Sequence, residues 1–113
     1  MWLLSKKGFY SIVQKPWNEP ENTLTIRSRV ASDLENLSVD LPNMGSIIKS
    51  TDSDYPYRAV ATKSDTADAI GKLVAQIEYD NFKNAVEAEQ GGQRAGIYSM
   101  VWRDLTRLEL IQR

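Results

Sequence analysis

The sequence predicts an α+β fold: an antiparallel sheet from the N-terminal half, with the C-terminal helices packed on one of its faces. Three observations lead there. Apolar and polar residues alternate with a period of two in short runs up to Thr62. From Ser64 onward the apolar residues recur at helical spacing instead. The two regimes follow one another without interleaving, which is the pattern of strands first and helices after. A chain of 113 residues fits one domain, taken here as 1–113. A ferredoxin-like arrangement is compatible with this pattern, but one sequence does not fix the strand order.

The elements follow in order. Trp2 to Ser5 and Phe9 to Lys15 are apolar-rich and flank Lys6-Lys7-Gly8, a hairpin turn. Pro16, Asn18, Pro20 and Asn22 mark a loop that contains Trp17. Thr23 to Val30 is the clearest strand, with Leu24, Ile26 and Val30 on one face and Thr25, Arg27 and Arg29 on the other. Ala31 to Leu37 reads as a short helix started by Ser32 or Asp33, with Leu34 and Leu37 inward. A short strand at Ile47-Ile48 and a turn at Thr51 to Asp54 lead to a strand at Tyr57 to Thr62, its Tyr57, Ala59 and Ala61 opposite Arg58, Val60 and Thr62.

The helical half opens at Ser64 or Asp65 as cap and carries a stripe of Ala67, Ile70, Leu73, Val74 and Ile77. Helix then resumes over Tyr79 to Gln90 after a bend near Glu78, and Gly91-Gly92 breaks it. The last helix is predicted from Arg94 to Leu110, with Ile97, Val101, Leu105 and Leu108 as its stripe, widened by Tyr98 and by Trp102 as a core residue.

Composition narrows the chemistry. The chain has no His and no Cys, so the commonest general base, the thiol nucleophile, disulfides and the softer metal ligands are all missing. Formal net charge is -1, which disfavours a general nucleic-acid binder. Met1-Trp2-Leu3-Leu4 is too short for a signal segment, and Lys6-Lys7 follow it rather than precede it. No run approaches the ~18 apolar residues of a membrane span. The expected location is the cytoplasm, with no cofactor and no metal; Asp52 and Asp54 make too weak a pair to hold a cation.

Two clusters could carry function. Arg27, Arg29 and Arg58 can meet on the open face of the sheet, with Lys49 and the aromatics Tyr10, Tyr55 and Tyr57 near them, and guanidinium groups bind carboxylate or phosphate in a bidentate manner. Trp17, in a Pro-flanked loop, would anchor an interface if exposed. The second cluster is the pentad Tyr79-Asp80-Asn81-Phe82-Lys83 with Arg94 and Tyr98, where the last two helices join. Its plain structural reading makes Phe82 and Val86 core and Asp80 a helix cap.

Several of these residues also carry a resemblance. Met1-Trp2-Leu3-Leu4 with Gly8-Phe9-Tyr10-Ser11, the pentad Tyr79 to Lys83, and the run Arg94-Ala95 through Tyr98 to Val101-Trp102 resemble a family of small uncharacterised bacterial proteins. The match spans nearly the whole length. It implies one stand-alone domain and no activity. Relatives often carry His near the Tyr of the last run, where Gly96 and Ser99 stand here, which argues against a His-dependent activity in this chain.

The expected function is therefore a non-enzymatic binding protein, a homodimer or the partner of another protein, working through the arginine face or Trp17. One alternative is a small-ligand or enzymatic site at the Tyr79/Asp80/Lys83 junction. Another is an effector carried by a phage or mobile element that masks a host protein.

Overall fold

The structure, a computed structural model, describes residues 1–111. It is α+β, with a five-stranded antiparallel sheet in the N-terminal half and four helices, mostly in the C-terminal half. The strands are β1 (Trp2–Ser5), β2 (Gly8–Val13), β3 (Thr23–Ser28), β4 (Ile48–Lys49) and β5 (Tyr57–Thr62), in the order β1-β2-β3-β5-β4. The helices are α1 (Ala31–Ser38), α2 (Lys63–Ala75), α3 (Phe82–Gln90) and α4 (Gly92–Leu105), and α4 tightens into a 3-10 turn at Thr106–Leu110. Among the described residues no helix is long and apolar enough to cross a membrane. The chain divides into two compact units, Met1–Glu78 and a second from Tyr79 onward.

In the first unit, α1 and α2 pack on one face of the sheet. That face contributes Tyr10, Ile12, Ile26 and Ala61 to the core, which is closed by Leu34 and Leu37 of α1, Leu41 after it, and Ala69 of α2. The residue types explain the layering. Each strand alternates, so its apolar set can face the helices only by presenting the other set outward. Register sets the outward rows: Trp2 pairs with Ser11, Ser11 with Arg27, Arg27 with Arg58, and Arg58 with Ile48.

Polar anchors hold the layers in place. Asp33 is buried, and its carboxylate accepts from the Phe9 amide at 3.0 Å. The Tyr10 hydroxyl donates to the Asp33 carbonyl at 2.7 Å. Asp33 therefore ties α1 to β2, and α1 starts from Val30 without a side-chain cap, contrary to the expected Ser32 or Asp33. Helix α2 is capped by Thr62, whose hydroxyl accepts from the Asp65 amide at 3.0 Å, rather than by Ser64 or Asp65. Its inward line is Thr66 and Ala69 with Ile70 and Leu73 partly buried, while Ala67, Val74 and Ile77 of the expected stripe are exposed. The helix thus meets the sheet through a face about one residue round from the expected stripe, led by the small residues Thr66 and Ala69.

The second unit is the α3–α4 hairpin. Asn81, not Asp80, caps α3, accepting from the Asn84 amide at 2.9 Å. Helix α3 thus starts at Phe82 rather than Tyr79. Gly91 sits at φ 96° and ψ 167°, a region open in practice only to glycine, and turns the chain into α4 two residues before the expected start. Val86, Ala95 and Tyr98 are its buried residues. Trp102 is not core: it is 71% exposed, and Ile97, Leu105 and Leu108 are exposed as well. Nine residues of α3 rise about 13 Å and fourteen of α4 about 21 Å. Trp102 therefore falls at the level of the first turn of α3, where it lines a cleft with Lys83 instead of entering the packed seam.

Candidate functional site

The face of the sheet opposite α1 and α2 gathers Arg27, Arg29 and Arg58. Arg27 and Arg58 stand directly opposite one another on β3 and β5. Arg29 follows the end of β3, and both its Cζ and that of Arg27 lie 4.6 Å from the centroid of the buried Tyr55 ring. Among the described residues, each guanidinium hydrogen-bonds only to neutral oxygens. Arg27 Nη2 donates to Ser11 Oγ at 2.6 Å, Arg29 Nη1 to the Asp54 carbonyl at 2.9 Å, and Arg58 Nη2 to Ser53 Oγ at 2.6 Å. The Nε groups of Arg27 and Arg58 are buried with no acceptor.

Aromatic residues continue from the cluster. Phe9 lies 6.3 Å from Tyr55, and Trp2 meets Phe9 edge-on at 6.1 Å. Trp2 is 71% exposed and Ile48, at the far end of the row, 61%. Arginine beside exposed and half-exposed aromatic rings is the composition that anchors protein contacts.

The register corrects part of the expected cluster. Tyr10 and Tyr57 share the opposite face, pairing with Leu3 and Ser28 and packing toward the helices, so only Tyr55 joins the arginines. Lys49 pairs with Tyr57, with its Nζ 5.8 Å from that ring, on the same opposite face. A single strand shows which of its own residues share a side, but the side shared with a neighbour depends on a register that no local pattern prints. Trp17 is 59% exposed, in a one-turn 3-10 helix at Pro16–Asn18. It lies by the start of β3, whereas Arg29 lies past its end, so Trp17 and the arginines are separate features.

This cluster conflicts with stability. Two like charges directly opposite in a ladder repel. A buried charged donor without an acceptor costs about 1–3 kcal/mol, and the single good bond Arg58 makes offsets only part of that. Arg58→Met keeps the unbranched stem and removes the charge. It is expected to raise the unfolding free energy by about 1 kcal/mol, measured by urea denaturation. A loss of stability of that size would show that the arginine is there to hold the fold.

The second cluster lies wholly in the α3–α4 unit. A cleft of about 560 Å³ is lined by Asp80, Lys83, Tyr98, Trp102 and Arg103 among others. Phe82 stacks on Tyr98 with centroids 5.9 Å apart and planes 10° apart, and Tyr79 lies 6.2 Å from Phe82. Arg94 Nη1 donates to Tyr98 Oη at 3.4 Å. Asp80, Lys83 and Tyr98 thus share the cleft, while Tyr79 and Arg94 support it from outside the lining. The aromatic stack serves hairpin packing, and the exposed Asp80 and Lys83 stand clear of it. Among the described residues no three His, Cys, Asp or Glu side chains converge as a metal site requires.

The residues that sequence reasoning missed are Asn18, Ser11 and Ser53. Ser11 and Ser53 hold the arginine heads. The only local signal was a small hydroxyl on an apolar strand for Ser11 and a turn residue for Ser53.

Compared with known proteins, the chain matches no family model, no curated protein and no solved structure.

Proposed function

We propose that this chain is a non-catalytic binding protein whose contact surface is the arginine-bearing sheet face opposite α1 and α2, and that the partner presents negative charge there. One observation carries the reading: three guanidinium groups stand together and, among the described residues, have neutral oxygens as their only hydrogen-bond partners. Concentrated charge of one sign on a chain of net charge -1 is a local field that attracts the opposite sign. The absence of His and Cys supports a binding role over catalysis.

A sulfonate cation-exchange column at pH 7 and low salt tests this without knowing the partner. The wild-type chain is expected to be retained despite its net negative charge and to elute as salt rises. Arg29→Glu, at an exposed position, is expected to pass through with its circular dichroism unchanged. Wild type and variant passing through together would overturn the reading.

A second copy of the chain is one candidate partner. A two-fold axis through the arginines would set like charges against one another, so self-association through this face needs an offset pairing in which carboxylates such as Asp52 and Asp54 meet the patch. Light scattering after size exclusion is expected to show a dimer at low salt that Arg29→Glu dissolves. A monomer under all conditions would leave the partner as a different molecule.

A further inference from the structure

We infer that the Arg27–Arg29–Arg58 cluster binds a phosphate monoester, a conclusion that rests on the anionic-partner reading above and names the anion. The charge count leads there. Among the described residues no carboxylate lies within ion-pair distance of the three guanidinium groups, so the cluster leaves several positive charges to be matched by one ligand. A carboxylate brings one negative charge and two oxygens in a plane. A phosphate monoester brings up to two charges near neutral pH and three terminal oxygens on a tetrahedron, which can engage several guanidinium groups at once.

The free donors are present. Arg27 and Arg58 each commit Nη2 to a serine and turn Nε inward, and the remaining Nη of each is neither hydrogen-bonded nor buried. Their direct register opposite one another sets their Cβ atoms roughly 4.5–5.5 Å apart, close enough for one anion to reach both heads. Arg29 is exposed and joins Arg27 through the shared ring of Tyr55. The hydroxyl of Ser53, which accepts from Arg58, keeps its own proton to donate. Beyond the arginines, the exposed indole of Trp2, set edge-on to Phe9, offers apolar ring surface for the organic group that carries the phosphate.

Isothermal titration of the full chain with phenyl phosphate, adenosine monophosphate, inorganic phosphate, sulfate and acetate tests the inference and separates its sources. At least one ester is expected to bind about tenfold or more tightly than sulfate or acetate, with that ester identifying the carrier group. Arg29→Met and Arg58→Met are each expected to weaken ester binding about tenfold, whereas Arg103→Met, in the α3–α4 cleft, leaves it unchanged. Arg29 is exposed, so its variant keeps the test valid even if the Arg58 variant fails to fold. Inorganic phosphate binding as tightly as both esters, or all five anions binding alike, would overturn the ester while leaving the exchanger result standing. No binding by any anion, with the chain retained on the exchanger, would likewise overturn it. Failure of retention on the exchanger would remove the parent reading itself.

Discussion

Gly8→Ala is expected to lower the unfolding free energy by about 3 kcal/mol, the upper part of the range for overpacking a buried site. A methyl group built at Gly8 would lie 2.7 Å from Asp33 Cγ, 2.8 Å from Asp33 Cβ and 2.8 Å from the Tyr10 hydroxyl oxygen. None of these neighbours is the loose end of a flexible chain. Asp33 is held by the Phe9 amide, Tyr10 is fully buried, and its hydroxyl is held by the Asp33 carbonyl. Making room means moving α1 away from β2 or breaking those bonds, each worth about 1 kcal/mol and more where the acceptor is charged. Urea denaturation followed by far-ultraviolet circular dichroism measures the change. A loss below about 1 kcal/mol would show that α1 can shift without disturbing the core.

Asn18→Ala is expected to cost about 2–3 kcal/mol, because one buried amide serves three partners. Asn18 Oδ1 accepts from the Lys15 amide at 2.8 Å and from Thr25 Oγ at 2.7 Å, and Nδ2 donates to Thr23 Oγ at 3.0 Å. Both Asn18 and Thr25 are buried, so truncation strands groups that water cannot easily reach. Asn18→Asp separates the contributions: it keeps the acceptor toward Lys15 and Thr25 and loses the donor toward Thr23. The same denaturation experiment is expected to show a smaller loss for Asp than for Ala. Equal losses would place the weight on the Thr23 contact.

These two sites also show what the sequence could and could not disclose. Period two placed β3 and β5 and put Ile26, Ala59 and Ala61 on the inner side, because burial on one face leaves an alternation that needs no neighbour to be seen. It also put Arg27, Arg29 and Arg58 outward. Gly8 was legible as a turn residue, yet its close approach to Asp33 depends on a helix more than twenty residues later. Asn18 was legible as a loop marker, and its role as the hub of a buried network was not. Asp33 carried the residue type of a helix cap, and a tertiary bond to β2 took precedence over the local one. In the C-terminal half the helical spacing was correct, but spacing alone fixes neither the rotation of α2 nor the face of α4 that meets α3, so Val74, Ile77 and Trp102 were assigned inward and lie outward.

All three indoles of this protein face solvent, Trp2 and Trp102 at 71% and Trp17 at 59%. Tryptophan emission therefore reports chiefly on what arrives at the surface and little on whether the interior is intact. Each indole watches a different territory: one beside the arginine cluster, one in the loop before β3, one on the terminal hairpin. Single-tryptophan versions of the chain would convert that accident of placement into three independent optical sensors, able to say where an added molecule lands before anyone knows what the molecule is.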